Sequence, residues 1–214
     1  MSVISTCAKM ACIDAYNPSI YEKIGTLYQT GDVVCGSSIE DNIVYIAIQG
    51  TENKAEVFSD LYIEPTYDPV LGYLHSGFLA GLDEIASKIL QNIPLNSQVV
   101  CTGHSLGAAR AAILSAKLKL SGVDVIKNVL FACPNPGYHQ LYFWLSMNIS
   151  GISFRNTPFD LPILGDPIPF LPAPPYHPPY WHTNICLPPK TFLKKFFQSC
   201  WHSADLYYAA CSSM

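Results

Sequence analysis

The segment 102–109, Thr-Gly-His-Ser-Leu-Gly-Ala-Ala, constrains the fold of this chain more than any other. Ser105 has a glycine two residues before it and another two residues after it, a spacing typical of a sharp turn between a strand and a helix. Such a turn strains the serine backbone, and glycines on either side avoid a clash. The segment 98–101 predicts a short buried strand, and the alanine-rich run 108–120 predicts a helix. Ser105 is therefore a candidate nucleophile.

A serine hydroxyl needs a base and an orienting acid, and in enzymes built on this turn the acid comes next, then the histidine. Of the six histidines, His202 fits that order best because it lies near the C-terminus beside a short apolar helix. His182 is the next candidate. Two aspartates follow a strand predicted at 151–154. Asp166 opens a proline-rich turn that would hold a carboxylate still, whereas Asp160 lies nearer the strand end, so both remain candidate acids.

The hydrophobic periodicity predicts alternating strands and helices. Helices are predicted near 6–16, at 77–91 and after Ser105, and strands at 33–37, 43–48, 98–101, 129–133 and 151–154. This order predicts a three-layer α/β fold with a central, mostly parallel sheet and the candidate groups at the strand ends. With 214 residues, 50% of them hydrophobic, and no visible linker, the chain is predicted to be one domain, 1–214.

Three further motifs accompany the serine turn. They are Gln-Gly-Thr at 49–51, Leu-His-Ser-Gly-Phe at 74–78 and Asp-Pro-Ile-Pro-Phe-Leu-Pro at 166–172. Together the four motifs resemble those of the class 3 lipases, a family of fungal triacylglycerol lipases with bacterial, plant and viral relatives. The resemblance extends over about residues 40–207. It implies an α/β-hydrolase fold in which the serine turn is the nucleophile elbow.

The resemblance also implies roles for single residues. The amides of Thr51 and Leu106 would form an oxyanion hole. His75 would be a structural residue near the oxyanion loop, and Asp60 would belong to the end of a lid region. No cofactor is implied, and the sequence has no metal-ligand cluster.

The activity implied is carboxylic ester hydrolysis on lipid or other acyl esters, through a Ser-His-Asp triad and an acyl-enzyme. The gap between Arg155 and Asp166 is longer than usual in the family, which keeps Asp160 open as the acid. Gln49 and Asn135 stand where the family usually has arginine, and these two departures keep alternative functions open. The alternatives are an acyltransferase or phospholipase on the same fold, or a non-catalytic lipase-like binding protein.

Composition and sequence patterns argue against nucleic-acid binding, a membrane span and a secretory signal. The formal net charge of −4 and the pI near 5.8 argue against nucleic-acid binding. No apolar run reaches the roughly 18 residues that span a bilayer, and the stretch 141–154 is expected to be buried. The N-terminus has no basic and apolar signal pattern, which predicts a cytoplasmic protein and leaves export by another route open. None of the eight cysteines forms a C-x-x-C pair, so buried free thiols and a reducing compartment are expected.

Three segments bear on the substrate. Residues 52–73 have few bulky apolar side chains, which disfavours a large amphipathic lid. The run Phe-Leu-Lys-Lys-Phe-Phe at 192–197 suggests a transient contact with a lipid interface, although an ordinary amphipathic helix packed on the core would have the same pattern. The proline-rich segment 158–189 is interpreted as a rigid wall of the active site rather than as a binding module.

Overall fold

The computed structural model describes residues 2–51, 64–156, 166–180, 182–184, 202–212 and 214. The strands in chain order are β1 (Gly25–Thr30), β2 (Val33–Glu40), β3 (Ile43–Ile48), β4 (Pro65–Asp68), β5 (Gly72–His75), β6 (Gln98–His104), β7 (Asp124–Phe131), β8 (Gly137–Tyr138), β9 (Ser150–Arg155), β10 (Tyr176–His177) and β11 (His182–Asn184). The helices are α1 (Val3–Cys12), α2 (Tyr21–Ile24), α3 (Ser76–Leu79), α4 (Leu82–Asn92), α5 (Leu106–Leu120), α6 (His139–Asn148) and α7 (Ala204–Cys211). Short 3-10 turns occur at Asp14–Tyr16, Pro18–Ile20 and Ile168–Phe170.

Within this part of the chain, the main sheet has the strand order β1-β2-β3-β6-β7-β9-β11. The pairs β1/β2 and β2/β3 are antiparallel, and every later neighbouring pair is parallel. The register sets Ile48 beside Gly103 and His104 beside Phe131. The carboxyl ends of β3, β6 and β7 therefore meet at one edge, where open α/β sheets bind ligands.

Side chains of the central strands alternate between two cores because a strand has a period of two. In β3, Ile46 and Ile48 join the core on the side of α4 and α5, whereas Tyr45 and Ala47 join the core that includes α1 and α7 residues. Helices thus cover both faces of the sheet, which gives the three layers that the sequence predicts. The single-domain assignment stays a prediction.

Several element boundaries differ from those expected. The helix predicted at 77–91 is divided into α3 and α4, because Gly81 adopts a left-handed φ of +75° between them. Strand β1 was not predicted, since its sequence Gly-Thr-Leu-Tyr-Gln-Thr lacks clear alternation. It is the edge strand of the sheet, where one side of the backbone needs no partner strand.

The stretch 141–154 was expected to be buried, and this expectation was wrong for its helical half. Helix α6 buries Leu141 and Leu145, but Phe143 and Met147 on its other side are 59% and 82% exposed. The apolar residues of α6 surround the helix, so only one stripe of them can pack on the sheet. Among the described residues, no helix has both the length and the hydropathy that crossing a membrane requires.

A second sheet, antiparallel in the order β10-β8-β5-β4, lies beside the main one. Its strand β8 follows β7 by a short loop, and the His75 amide donates to the Pro136 carbonyl of that loop at 3.0 Å. His75 is fully buried and stacks on Phe78 with 4.0 Å between ring centroids. The role of His75 as a structural residue stays a prediction that this packing fits.

Candidate active site

Ser105 lies at the turn between β6 and α5, as the sequence predicts. Its backbone has φ +57° and ψ −129°, a conformation that L-residues seldom adopt. The Ser105 amide donates to the Phe131 carbonyl at the end of β7, at 3.0 Å. This bond joins the turn to the neighbouring strand, so the strained serine is held by the main sheet.

Both glycines of the elbow are required by close packing. A Cβ on Gly103 would collide with the Gly107 carbonyl, and a Cβ on Gly107 would collide with the Ile48 carbonyl of β3. Backbone atoms form both contacts, so a side-chain rotation cannot relieve them. The elbow therefore places the start of α5 directly against the end of β3.

The structure brings three of the predicted residues into one line of hydrogen bonds. Ser105 Oγ is 2.6 Å from His202 Nε2, and His202 Nδ1 is 2.8 Å from Asp166 Oδ2. A carboxylate only accepts hydrogen bonds, so Nδ1 carries the proton and Nε2 of a neutral ring accepts from the serine hydroxyl. Ser105 and Asp166 are almost completely buried, and only the imidazole between them is partly exposed.

Asp166 is held by donors from three directions. Besides His202, the Ile168 amide donates to Oδ1 at 3.0 Å, and the Tyr207 hydroxyl donates to Oδ2 at 2.7 Å. The Asp166 amide donates to the Asn156 carbonyl just after β9, at 2.8 Å. The backbone thus returns to the end of β9 at Asp166, despite the long gap in sequence. The alternative acid, Asp160, lies outside the described residues.

Tyr207 is a site residue that the sequence interpretation missed. Its hydroxyl donates to Asp166 and accepts from the Asn156 amide at 2.8 Å, and the side chain is fully buried. Burial and the adjacent Asp166 carboxylate raise the pKa of Tyr207 well above its ordinary value, so the hydroxyl keeps its proton. The available signal was a tyrosine on the apolar helix beside His202, since a buried tyrosine hydroxyl usually has a partner.

His104, the residue between Gly103 and Ser105, also belongs to the site. It is buried, and its ring centroid lies 4.9 Å from that of His202 at an interplanar angle of 33°. Desolvation by burial lowers the pKa of His104 well below its ordinary value, and the nearby His202 lowers it further. His104 is therefore a neutral ring that packs beside the imidazole of His202.

The two predicted oxyanion donors lie at the same sheet edge as Ser105. Leu106 is the first residue of α5, and the amide of a first helical residue has no acceptor within its helix. Thr51 follows the end of β3, next to the strand that carries the elbow. Their role as donors stays a prediction.

Asn135 stands at one of the two positions where the family usually has arginine, and the structure shows which contacts this neutral residue makes there. Asn135 is buried, its amide donates to the Leu171 carbonyl at 2.6 Å, and its side-chain Nδ2 donates to the Pro172 carbonyl at 2.8 Å. A neutral amide therefore attaches the β7–β8 loop to the segment that begins with Asp166. At the other position, the backbone N–H of Gln49 donates to the Val34 carbonyl at 2.9 Å.

The proline-rich segment contacts the main sheet through Tyr180. The Tyr180 hydroxyl accepts from Asn128 Nδ2 at 2.9 Å, and the Tyr180 ring lies over Gly151, where any Cβ would collide with it. Several other predictions concern residues outside the described ones: Asp60, residues 52–63 of the segment 52–73 in which a large lid is disfavoured, the side chain of His182 and the segment 192–197. In the parts of the chain that are described, no three potential metal ligands come together.

Comparison with solved structures identifies the class of fold. The chain superimposes on the mono- and diacylglycerol lipase of Aspergillus oryzae with a TM-score of 0.71 and 17% identity, over 98% of this chain and 95% of that one. It also superimposes on the lipase of Rhizopus microsporus var. chinensis with a TM-score of 0.64 and 19% identity, over 86% and 72% of the two chains. The predicted α/β-hydrolase fold is thus confirmed.

Sequence comparison identifies the family. Residues 45–175 match the sequence model of class 3 lipases, and this chain therefore belongs to the class 3 lipase family. It is 30% identical over 174 residues to LIH1 of Saccharomyces cerevisiae, whose name describes it as a candidate lipase. That alignment covers 64% of this chain and 52% of the yeast protein, so the chain spans about half the length of this relative.

Proposed function

We propose that this protein is a serine carboxylic ester hydrolase that acts on lipid or other acyl esters. The observation that carries the proposal is the line from Ser105 Oγ through the His202 ring to Asp166 Oδ2, with separations of 2.6 and 2.8 Å. A serine, a histidine and a buried carboxylate in this order have the geometry of nucleophile, general base and orienting acid. Membership of the class 3 lipases makes lipid esters the first substrates to test.

In the first half-reaction, the Ser105 hydroxyl would give its proton to His202 Nε2 as Oγ attacks the ester carbonyl. The negative charge that develops on the carbonyl oxygen would be stabilised by the Thr51 and Leu106 amides. His202 would then pass its proton to the leaving alcohol, which leaves an acyl group on Ser105. In the second half-reaction, His202 would take a proton from water as the water oxygen attacks the acyl carbonyl. His202 would then return this proton to Ser105 Oγ as the bond from Oγ to the acyl carbon breaks, which releases the carboxylic acid and free Ser105.

Asp166 would accept from Nδ1–H throughout, which keeps Nε2 directed at Ser105 and stabilises the imidazolium. The donors from Ile168 and Tyr207 hold this carboxylate in one orientation. The proposal thus assigns Asp166 rather than Asp160 as the acid.

The experiment is a series of p-nitrophenyl esters of increasing acyl length. It is run on the wild type and on Ser105→Ala, Asp166→Asn and Asp160→Asn. We expect Ser105→Ala to abolish turnover and Asp166→Asn to lower kcat by about 10⁴, as a lost orienting acid does, while Asp160→Asn, the matched control, stays near the wild type. The preferred length then separates an esterase from a lipase. A wild type that is silent on every ester and unlabelled by a fluorophosphonate probe would refute the proposal.

Contact with a lipid interface through residues 192–197 stays a prediction. The test is flotation with liposomes of the wild type and of a variant with Phe196 and Phe197 both changed to serine, and equal flotation of the two would refute it.

Residence in a reducing, cytoplasmic compartment is likewise a proposal. Six described cysteines that are free and buried are consistent with it: Cys7, Cys12, Cys35, Cys101, Cys133 and Cys211.

A further inference from the structure

Tyr16 reaches the candidate site from the opposite end of the chain. It closes the 3-10 turn that follows α1, and it is 88 residues from His104 in sequence. Its hydroxyl shares a hydrogen bond of 2.8 Å with His104 Nδ1, and the two rings meet edge to face at 6.0 Å between centroids. Tyr16 therefore contacts the elbow through the residue directly before Ser105.

The same hydroxyl lies against the strand end that leads to Thr51. A Cβ built on Gly50 would be 2.5 Å from the Tyr16 hydroxyl oxygen and 2.5 Å from the His104 carbonyl oxygen. The absence of a side chain at position 50 is thus what allows tyrosine, elbow and strand end to meet. Gly50 directly precedes Thr51, whose amide is a candidate oxyanion donor.

His104 transmits this contact to the imidazole of His202. The two rings pack at 4.9 Å, and the neutral His104 adds no positive charge beside His202. When His202 takes the serine proton it becomes a cation, and its Nε2 must stay oriented toward the leaving group in order to donate that proton. A His104 ring held at Nδ1 by Tyr16 offers His202 one fixed surface.

We propose that Tyr16 is a positioning residue for the acyl-transfer reaction: its hydroxyl fixes the His104 ring beside His202 and packs against the Gly50 backbone that leads to Thr51. This inference rests on the proposed hydrolase function. In this scheme Tyr16 acts through His104 and Gly50, the two residues of the site that its hydroxyl approaches. Its loss would misalign groups that act in the transition state, and substrate binding would change little.

The test compares Tyr16→Phe with Tyr21→Phe. Both variants keep the ring and remove one hydroxyl: that of Tyr16 bonds to His104 Nδ1, whereas that of Tyr21 reaches only the Met10 carbonyl at 3.4 Å. Removing a hydrogen bond worth about 1 kcal/mol lowers a rate about fivefold when the bond acts in the transition state. We expect Tyr16→Phe to lower kcat by about five- to tenfold with KM nearly unchanged, and Tyr21→Phe to keep the wild-type kcat. Urea unfolding of both variants shows whether their losses of stability are similar.

A double-mutant cycle adds a second readout. If Tyr16 acts through His104, then His104→Gln combined with Tyr16→Phe loses little more activity than His104→Gln alone. Fluorophosphonate labelling of Ser105 should slow in Tyr16→Phe by a factor similar to that for kcat. Wild-type kcat in Tyr16→Phe, or an equal fall in Tyr21→Phe, would overturn the inference and leave the hydrolase function intact. A wild type that neither turns over esters nor labels would overturn both.

Discussion

Tyr207→Phe removes one buried hydroxyl and with it two hydrogen bonds. The Asp166 carboxylate loses its 2.7 Å donor, and the Asn156 amide loses its 2.8 Å acceptor. A hydrogen bond to a charged group contributes about 1.5–3 kcal/mol, and a buried amide without an acceptor costs about 1–3 kcal/mol. Because Tyr207 is fully buried, water cannot replace the hydroxyl. We expect the free energy of unfolding to fall by about 3–5 kcal/mol.

The same change should slow the reaction, because a carboxylate with one donor fewer holds His202 less firmly. If about 1.4 kcal/mol of the lost interaction is expressed in the transition state, kcat falls about tenfold. The assay is urea unfolding followed by circular dichroism, together with p-nitrophenyl ester turnover at a temperature where the variant is folded. Fluorophosphonate labelling shows whether the serine remains reactive.

Tyr21→Phe is the matched control for Tyr207→Phe. Tyr21 is buried in the same core, but its hydroxyl only reaches the Met10 carbonyl at 3.4 Å and has no contact with Asp166. We expect it to lose about 1 kcal/mol or less and to keep its kcat. If Tyr207→Phe resembled Tyr21→Phe in both measurements, the reasoning that Tyr207 holds the carboxylate would be wrong.

Three further predictions follow from close contacts and buried groups. Gly107→Ala should cost at least about 3 kcal/mol of stability, because the added Cβ would collide with backbone atoms. Its control is Gly122→Ala, which has open space around the Cβ but a φ of +90°, and which should cost about 1 kcal/mol. Equal losses of stability in urea unfolding would contradict this prediction. Burial raises the pKa of the Cys7 and Cys211 thiols from 9.0 to about 12, so the unfolded chain loses their protons first. Stability present below pH 9 should therefore fall between pH 9 and 12, by up to about 1.4 kcal/mol per pH unit for each thiol; urea midpoints in reductant that stay constant over this range would refute it. Asn135→Ala should lower the free energy of unfolding by about 1–2 kcal/mol. It should also lower kcat, because the segment that begins with Asp166 loses its hydrogen bond to the Asn135 side chain. Wild-type kinetics in that variant would show that Asn135 does not help to position Asp166.

Local chemistry was enough to predict the elbow and the central sheet. Gly103 and Gly107 are needed because backbone approaches backbone there, and such a need is visible in the sequence as glycine spacing. The segments that became β3 and β6 were predicted from their short apolar runs, because burial of a strand on both faces of a sheet leaves such a run in the sequence. The edge strand β1 has no such run, and the break at Gly81 lies within a pattern that is helical on both sides.

The amino-acid sequence by itself determined the strand-turn-helix around Ser105, the layer architecture and a short set of candidate partners for Ser105. Only the tertiary structure decided which of these partners meet. The Asp166 amide bonds to Asn156 across the long gap, which brings the carboxylate to His202, and no local pattern carries that information. The contacts of Tyr207 with Asp166 and of Tyr16 with His104 likewise join distant segments. Periodicity and turn chemistry act over a few residues, whereas a site of this kind is assembled where the carboxyl ends of several strands converge.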